Sequence, residues 1–342
     1  MVLTKDKGNN LAILVVGGAG YIGCHAARAL QRHGYEAIVY DNLLRGHAFL
    51  ADGFELVKAD IVDGDQLARV MRRVNAVMHF AAHAQVSESV QNPRIYFQNN
   101  AEAGVMLLNA ALDAGVRRFI FSSTCAVYGI PAKTPITEDT PRQPVNPYGT
   151  SKLFFENALE AYDRAYDLRY VSLRYFNAAG ADDSGEIGEL HDPETHLIPA
   201  ALKAVTRERG ELELFGSDYP TPDGTCVRDY VHVNDLAYAH VLALKHIEAG
   251  KSSAALNLGT GTGCSVKEVI TMVEEVTGSK VPRRMAPRRP GDPPTLVADP
   301  SRAQAVLQWK ATRSLREIVE TAWQWEQGGR QKARNPQPRG LP

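Results

Sequence analysis

The sequence predicts an α/β fold, a doubly wound parallel sheet followed by a smaller C-terminal α/β domain. Three observations predict it. A continuous apolar run at residues 11–16 leads into Gly17-Gly18-Ala19-Gly20-Tyr21-Ile22-Gly23 and then into a helical pattern. Short apolar runs alternate with longer amphipathic stretches as far as residue 175, the alternation that builds a right-handed parallel sheet. From Asn177 onward the chain turns polar and turn-rich, with scattered helical and strand segments.

Residues 11–16 have no polar face, as a strand covered on both sides requires. The G-x-x-G-x-x-G run sits between that strand and a helix over 21–32, whose apolar face is Ile22, Ala26, Ala29 and Leu30. Glycines allow the tight turn and let a pyrophosphate approach the backbone, and the helix N-terminus offers free N–H groups. Gly17, Gly20, Tyr21 and Ile22 are therefore candidate cofactor contacts in a Rossmann-type unit. The second strand, 37–41, ends in Asp41, placed to accept from both ribose hydroxyls and to repel a 2′-phosphate. NAD is thus expected over NADP, with Arg45 the nearby charge that opposes this.

A third strand, 54–58, leads to Asp60 and Ile61, expected at the adenine amino group and ring. The fourth, 75–80, ends in His79-Phe80-Ala81-Ala82. The small residues Ala81 and Ala82 let a cofactor lie over the strand ends, and His79 is expected to pack in the core. A long helix over 93–114 carries Asn99 and Asn100, poor helix formers expected to face the cofactor. The fifth strand, 118–121, is followed by Ser122-Ser123-Thr124, hydroxyls placed to meet a substrate, and the sixth, 170–175, ends in Tyr175.

Pro147-Tyr148-Gly149-Thr150-Ser151-Lys152 places a tyrosine and a lysine four apart at a helix start. Such residues share a helix face, and Pro147 suits the first turn. A nearby ammonium favours the phenolate, which would make Tyr148 a general acid–base.

Lys plus Arg number 38 and Asp plus Glu 39, a balance that gives no electrostatic reason to expect nucleic acid or a membrane surface as partner. Cys24, Cys125, Cys226 and Cys264 are scattered without metal-ligand spacing, which suits reduced thiols in a cytoplasm. No metal site is expected. The N-terminus lacks a signal-peptide core, and no apolar run approaches the roughly 20 residues that span a bilayer. Residues 328–342 read as a disordered tail.

The motifs together resemble the extended short-chain dehydrogenase/reductases, and within them the UDP-glucose 4-epimerases. The matching residues are Gly17 to Gly23, Asp41-Asn42, Asp60-Ile61, Phe80-Ala81, Ser122-Ser123-Thr124, Tyr148 with Lys152, and Arg174-Tyr175-Phe176-Asn177. In the second half they are Pro193-Glu194-Thr195-His196-Leu197-Ile198-Pro199, Asp223 to Tyr230, and Ala286 to Asp292. Two departures stand out. Where the family often has a phosphate-side lysine the chain reads His83-Ala84-Gln85, and the hydroxyl beside the tyrosine is Thr124 rather than serine.

The resemblance implies NAD as cofactor and a UDP-sugar as substrate. It implies Thr124, Tyr148 and Lys152 as catalytic residues. It implies Asn177, His196, Leu197, Leu214, Phe215, Arg228, Arg289, Asp292 and Leu296 at the sugar nucleotide. Two arginines can chelate a diphosphate, Phe215 can pack on a uracil, and Leu296 would gate the sugar pocket. The family's domains imply a cofactor domain over 1–177, rejoined by a segment near 227–260, a substrate domain over 178–327, and a homodimer. The sequence leaves open UDP-pentoses and N-acetylhexosamines. A dehydratase is disfavoured because Cys125-Ala126, not carboxylates, follow Thr124, and a non-catalytic NAD-binding protein because Tyr148, Lys152 and Thr124 are intact.

Overall fold

The computed structural model describes residues 12–208, 210–289 and 292–329. The polar N-terminus and residues 330–342 of the expected tail lie outside the described residues. Gly328 and Gly329 do not belong to a tail; they close a last π-helical turn, Trp325–Gly329.

The first half is β1 (Ala12–Val16), α1 (Tyr21–Arg32), β2 (Ala37–Asp41), β3 (Glu55–Lys58), α2 (Gly64–Met71), β4 (Val74–His79), α3 (Val86–Gln91) and α4 (Pro93–Tyr96). A π-helical turn, Phe97–Glu102, leads on to α5 (Ala103–Asp113), β5 (Arg118–Thr124), α6 (Pro147–Tyr166), β6 (Arg169–Tyr175) and β7 (Asn177–Ala179). Then come α7 (Leu197–Val205), β8 (Leu212–Phe215), β9 (Val227–Arg228), β10 (Tyr230–His232), α8 (Val233–Glu248) and β11 (Ala254–Leu258). The chain ends with β12 (Cys264–Ser265), α9 (Val266–Thr277), β13 (Arg283–Ala286), β14 (Thr295–Leu296), α10 (Ser301–Leu307) and α11 (Leu315–Gln324).

Seven strands form one parallel sheet in the order β11-β6-β5-β4-β1-β2-β3. Strand order reverses between β1 and β4, so a crevice opens at the carboxyl ends there. Every residue of β1 is buried. The turn after it depends on glycine at two points. Gly17 has φ +79°, and a Cβ on it would lie 2.4 Å from the Ala81 nitrogen; a Cβ on Gly23 would lie 2.2 Å from the Gly17 oxygen. On one face of the sheet Val15, Ile120 and Leu173 pack with Leu30 of α1 and Leu236 and Val241 of α8. On the other, Leu14, Val77 and Phe119 pack with Leu107, Phe155 and Leu159 of α5 and α6. The second half has its own core, where Ile198, Leu202, Leu214, Val269 and Ile318 meet. The chain crosses back, however, because β11 pairs in register with β6.

Two elements differ from the sequence reading. β5 runs through Thr124 because Ser122, Ser123 and Thr124 stay paired with Leu173, Arg174 and Tyr175 of β6, so the hydroxyls stand within the strand. The helix over 93–114 is not continuous. Its π turn adds a residue to the coil, a feature that recurs at functional sites, and Asn100 is buried beneath it. The Asn100 amide donates to the His83 carbonyl at 3.0 Å and to Ser151 Oγ at 3.1 Å. Its Oδ1 accepts from the His83 backbone N–H at 2.9 Å.

Under α6 lies a buried ion pair. Arg174 Nε and Nη2 donate to the two Glu156 carboxylate oxygens at 2.8 and 2.6 Å, and the two residues are 3% and 1% exposed. Ser123 Oγ adds a third donor at 2.6 Å, and Arg142 reaches the same carboxylate at 3.3 Å. Glu156→Ala strands Arg174 as a buried charge. It should cost about 3–5 kcal/mol, read as a fall in the urea midpoint; an unchanged midpoint would show that the pair carries no such load.

Candidate active site

A cleft of about 560 Å³ runs along the carboxyl ends of the sheet and is closed on its far side by residues of the second half. Its wall holds Gly17, Gly20, Tyr21, Ile22, Asp41, Asn42, Asp60, Ile61, Phe80, Ala81, Ala82, Asn99, Ser122, Thr124, Tyr148, Lys152 and Tyr175; Asn100, also expected to face the cofactor, is outside it because its amide is buried against His83 and Ser151. Asn177, His196, Leu197, Arg228, Asp292 and Leu296 join them from the substrate side.

Leu214, Phe215 and Arg289 are not in that wall. Leu214 is buried in the second core because alternate residues of β8 face inward, so its side chain does not face the cleft. The Arg289 guanidinium lies 3.8 Å from the Phe215 ring centre, a cation–π contact that joins the two to each other. The Pro290-Gly291 turn expected to present Arg289 lies outside the described residues. Arg288 is held by Asp218 at 2.7 Å. Arg228 donates to the Val227 and Pro293 carbonyls at 2.9 Å each, and its guanidinium lies 3.7 Å from Asp292.

The cofactor side fits NAD. No side chain caps the N-terminus of α1 and no acid lies in its first turn, so its amide groups are left for an anion. A Cβ on Gly20 would touch only the Gly17 oxygen, at 3.3 Å, so the cradle above it is open. Asp41 Oδ2 accepts from Ala19 N at 3.0 Å and Oδ1 from Leu43 N at 2.8 Å. The carboxylate thereby ties the glycine turn to the start of the loop after β2 while facing the cleft. Arg45, the one doubt about NAD, pairs with Glu88 at 2.8 Å. Asn42 donates to Asp60 at 2.7 Å, and the Asn99 amide donates to Asn100 at 2.9 Å. His79 is a core residue packed among Phe119, Phe121 and Phe155. His83 stands in the cleft wall where the lysine is missing, its ring kept neutral-leaning by burial.

The Tyr148–Lys152 stripe corrects one expectation. Lys152 does not hold the Tyr148 phenol down. Its Nζ donates to the Ser122 carbonyl at 2.8 Å and lies 4.8 Å from the Phe121 ring centre. Burial raises the Tyr148 phenol to about 12, against a hydrogen bond from Thr124 that lowers it. Burial also pulls the Lys152 ammonium down to about 7, with the Glu156 charge opposing. One cause, loss of water, favours the neutral form of both groups. Ser122 Oγ and the Tyr175 hydroxyl are hydrogen-bonded beside them.

Sequence reasoning missed Glu156, although it is the next member of the i, i+4 stripe that starts Tyr148, Lys152. It also missed a cluster beside His196. Glu189, His191, Glu194 and His196 bring together groups able to hold a metal, where no metal site was expected. Their signal was the spacing Glu-x-His-x-x-Glu-x-His within one loop.

A buried lysine has a stability signature. The unfolded chain holds its lysine proton up to about pH 10.5 and the folded chain only to about 7. Between those values the unfolded state binds more protons, so this group's contribution to stability rises with pH. Lys152→Met should therefore be more stable than wild type at pH 6 and lose that advantage as pH approaches 10. Urea unfolding of nucleotide-free protein across this range tests it; a pH-independent difference would contradict it.

The comparisons with known proteins agree with this geometry. The model of the NAD dependent epimerase/dehydratase family matches residues 13–259. The UDP-glucose 4-epimerase of Rhizobium meliloti strain 1021 is 49% identical over 326 residues, which cover 94% of this chain and 99% of that protein. The crystal structure of the Brucella ovis UDP-glucose 4-epimerase in complex with NAD superposes with a TM-score of 0.90 at 48% identity, covering 93% of this chain and 98% of that one. The Stenotrophomonas maltophila enzyme with bound NAD and formylated UDP-arabinopyranose gives 0.91 at 40% identity, covering 94% and 99%.

Proposed function

We infer the reaction from one premise: the chain belongs to the NAD dependent epimerase/dehydratase family. It is an epimerase that interconverts UDP-glucose and UDP-galactose at C4, with NAD as cofactor. The observation that carries this is near-full-length likeness to UDP-glucose 4-epimerases, with a tyrosine, a lysine and a threonine converging in one cleft.

The Gly17–Gly23 turn, Asp41 and the Asp60–Ile61 wall would hold NAD, which would supply the means to take a hydride from C4 and return it. The protein's own groups handle the proton and the geometry. Tyr148 takes the proton of the sugar 4-hydroxyl and gives it back, and Thr124 holds the 4-oxygen by a hydrogen bond. Lys152 supplies the cation that makes a phenolate accessible, once its ammonium turns from Ser122 toward the ring. Arg228, in the cleft wall, holds the diphosphate while the keto sugar turns over. Burial matters here, because charge–charge contacts in a water-poor cleft are stronger than in solvent. Tyr148→Phe should cut turnover by about a hundredfold or more while leaving NAD bound. Near-normal turnover in a coupled UDP-galactose assay would remove Tyr148 from the proton transfer.

The proposal extends to assembly and setting. Phe97, Met106 and Phe154 are exposed large apolar residues on the α4–α6 side of the cofactor half. Such a surface suits pairing with a second copy about a two-fold axis. Light scattering should give a dimer; a particle of 37.4 kDa at assay concentration would overturn this. No described helix is long and apolar enough to cross a membrane. Four unpaired cysteines suit a reducing cytoplasm, and recovery of the chain solely outside the cell on fractionation would count against that setting.

A further inference from the structure

We propose that Glu189, His191, Glu194 and His196 form a binding site for a divalent cation of the zinc class, at the mouth of the cleft. One ligand atom from each lies within 4.8 Å of the others. In a tetrahedral zinc site with bonds of about 2.0–2.1 Å, ligand atoms are roughly 3.3 Å apart. The Glu189 carboxylate already meets both imidazoles, accepting from His191 Nδ1 at 2.9 Å and in closer contact with His196 Nδ1. The remaining pairs, within 4.8 Å, must draw in to reach that spacing.

The burial pattern is compatible with a bound cation. Glu189 and Glu194 are only 7% and 8% exposed, and two carboxylates sharing a buried pocket repel unless positive charge lies between them. Lys203 reaches Glu194 from outside the cluster, at 3.6 Å, and the Glu194 carboxylate also accepts from the Thr195 and His196 backbone N–H groups at 2.9 and 3.0 Å. Two nitrogen and two carboxylate ligands favour zinc over magnesium or calcium, which prefer all-oxygen shells.

The loop is also held in place before any ion arrives. Trp325 Nε1 donates to the Glu189 carbonyl at 2.8 Å, and His47 Nε2 contacts the Leu190 carbonyl at 3.2 Å. Gln85 Nε2 reaches the Pro193 carbonyl at 3.3 Å and Arg45 the Asp192 carbonyl at 3.4 Å. A loop whose backbone is fixed from four directions gives up little conformational freedom on binding. Since His196 immediately precedes α7 and stands in the substrate wall, an ion here would cross-link the loop that meets the sugar nucleotide.

The test is zinc titration of the purified full chain against a chromophoric chelator, with cobalt(II) absorption as a readout of geometry. One zinc per chain and an intense, tetrahedral-type cobalt spectrum are expected. His191→Ala should weaken binding by about a hundredfold, the upper range seen even for losing a partner behind a ligand, and Glu194→Gln should weaken it too. His33→Ala, at an exposed histidine elsewhere, should bind as wild type. Circular dichroism establishes that each variant is folded. No competition with a micromolar chelator, or wild-type affinity in folded His191→Ala, overturns the site. Epimerase activity is measured separately, so zinc binding without epimerisation would sink the proposed reaction and leave the site standing.

Discussion

The site rests on the buried contact between Glu156 and Arg174. Moving two charges out of water costs several kcal/mol per ion, and only near-ideal geometry offsets it. Here the geometry is a two-point fork, with Ser123 and Arg142 completing the carboxylate. The pair joins the middle of α6 to β5 and β6. From Arg174 the network continues through the Tyr128 hydroxyl at 2.9 Å to Asn257 at 2.7 Å, in β11. One polar line thus fixes the rotation of α6 against three strands. Tyr148 and Lys152 lie two turns and one turn before Glu156 on the same face, so the pair that anchors the helix also aims these two side chains at the cleft. The alternation of β5 completes this: Ser123 points to Glu156, while Ser122 and Thr124, its neighbours on the opposite face, line the cleft.

This anchoring explains why the site is dry enough to shift both its titrating groups. A tyrosine moved to about 12 and a lysine to about 7 are each less charged than in water. The phenol is therefore held in its protonated form, which is not the form that accepts a proton. The cost is kept at the place of reaction, and the rest of the helix carries the compensation. Such placement is expected where stability is traded for reactivity.

How much of this is legible in the sequence depends on how local the cause is. The glycine turn, the acid ending β2 and the Tyr148/Lys152 spacing are short-range patterns, and each side chain they name stands in the cleft. What the sequence hides is set at long range. The direction of the Lys152 ammonium depends on a carbonyl of β5 thirty residues away. The break in the helix after Tyr96 has no proline or glycine at its π turn; it goes with the hydrogen bonds that Asn100 makes to His83 and to Ser151. Leu214 follows from strand alternation, which a four-residue strand is too short to declare on its own. Glu189 and His191 sit in a turn-rich loop where polar residues are common, so their spacing is a weak signal until folding of the loop brings the side chains together.

The two halves are joined at the point where the cofactor and substrate sides meet, which limits how the cleft can move. Tyr21, the first residue of α1, donates its hydroxyl to the Gly180 carbonyl at 2.6 Å. Arg32, at the other end of the same helix, pairs with the buried Asp182 at 2.6 Å. Both ends of the helix that starts at the glycine turn are therefore tied to the first residues after β7. His47 and Arg45, from the loop after Asp41, hold the same segment further on, at Leu190 and Asp192. A displacement of the loop at 180–196 must then strain either α1 or the loop that follows Asp41. Substrate side and cofactor side are coupled by hydrogen bonds rather than by a flexible hinge. That arrangement suits a reaction in which a sugar must turn over while the groups around its C4 stay where they are.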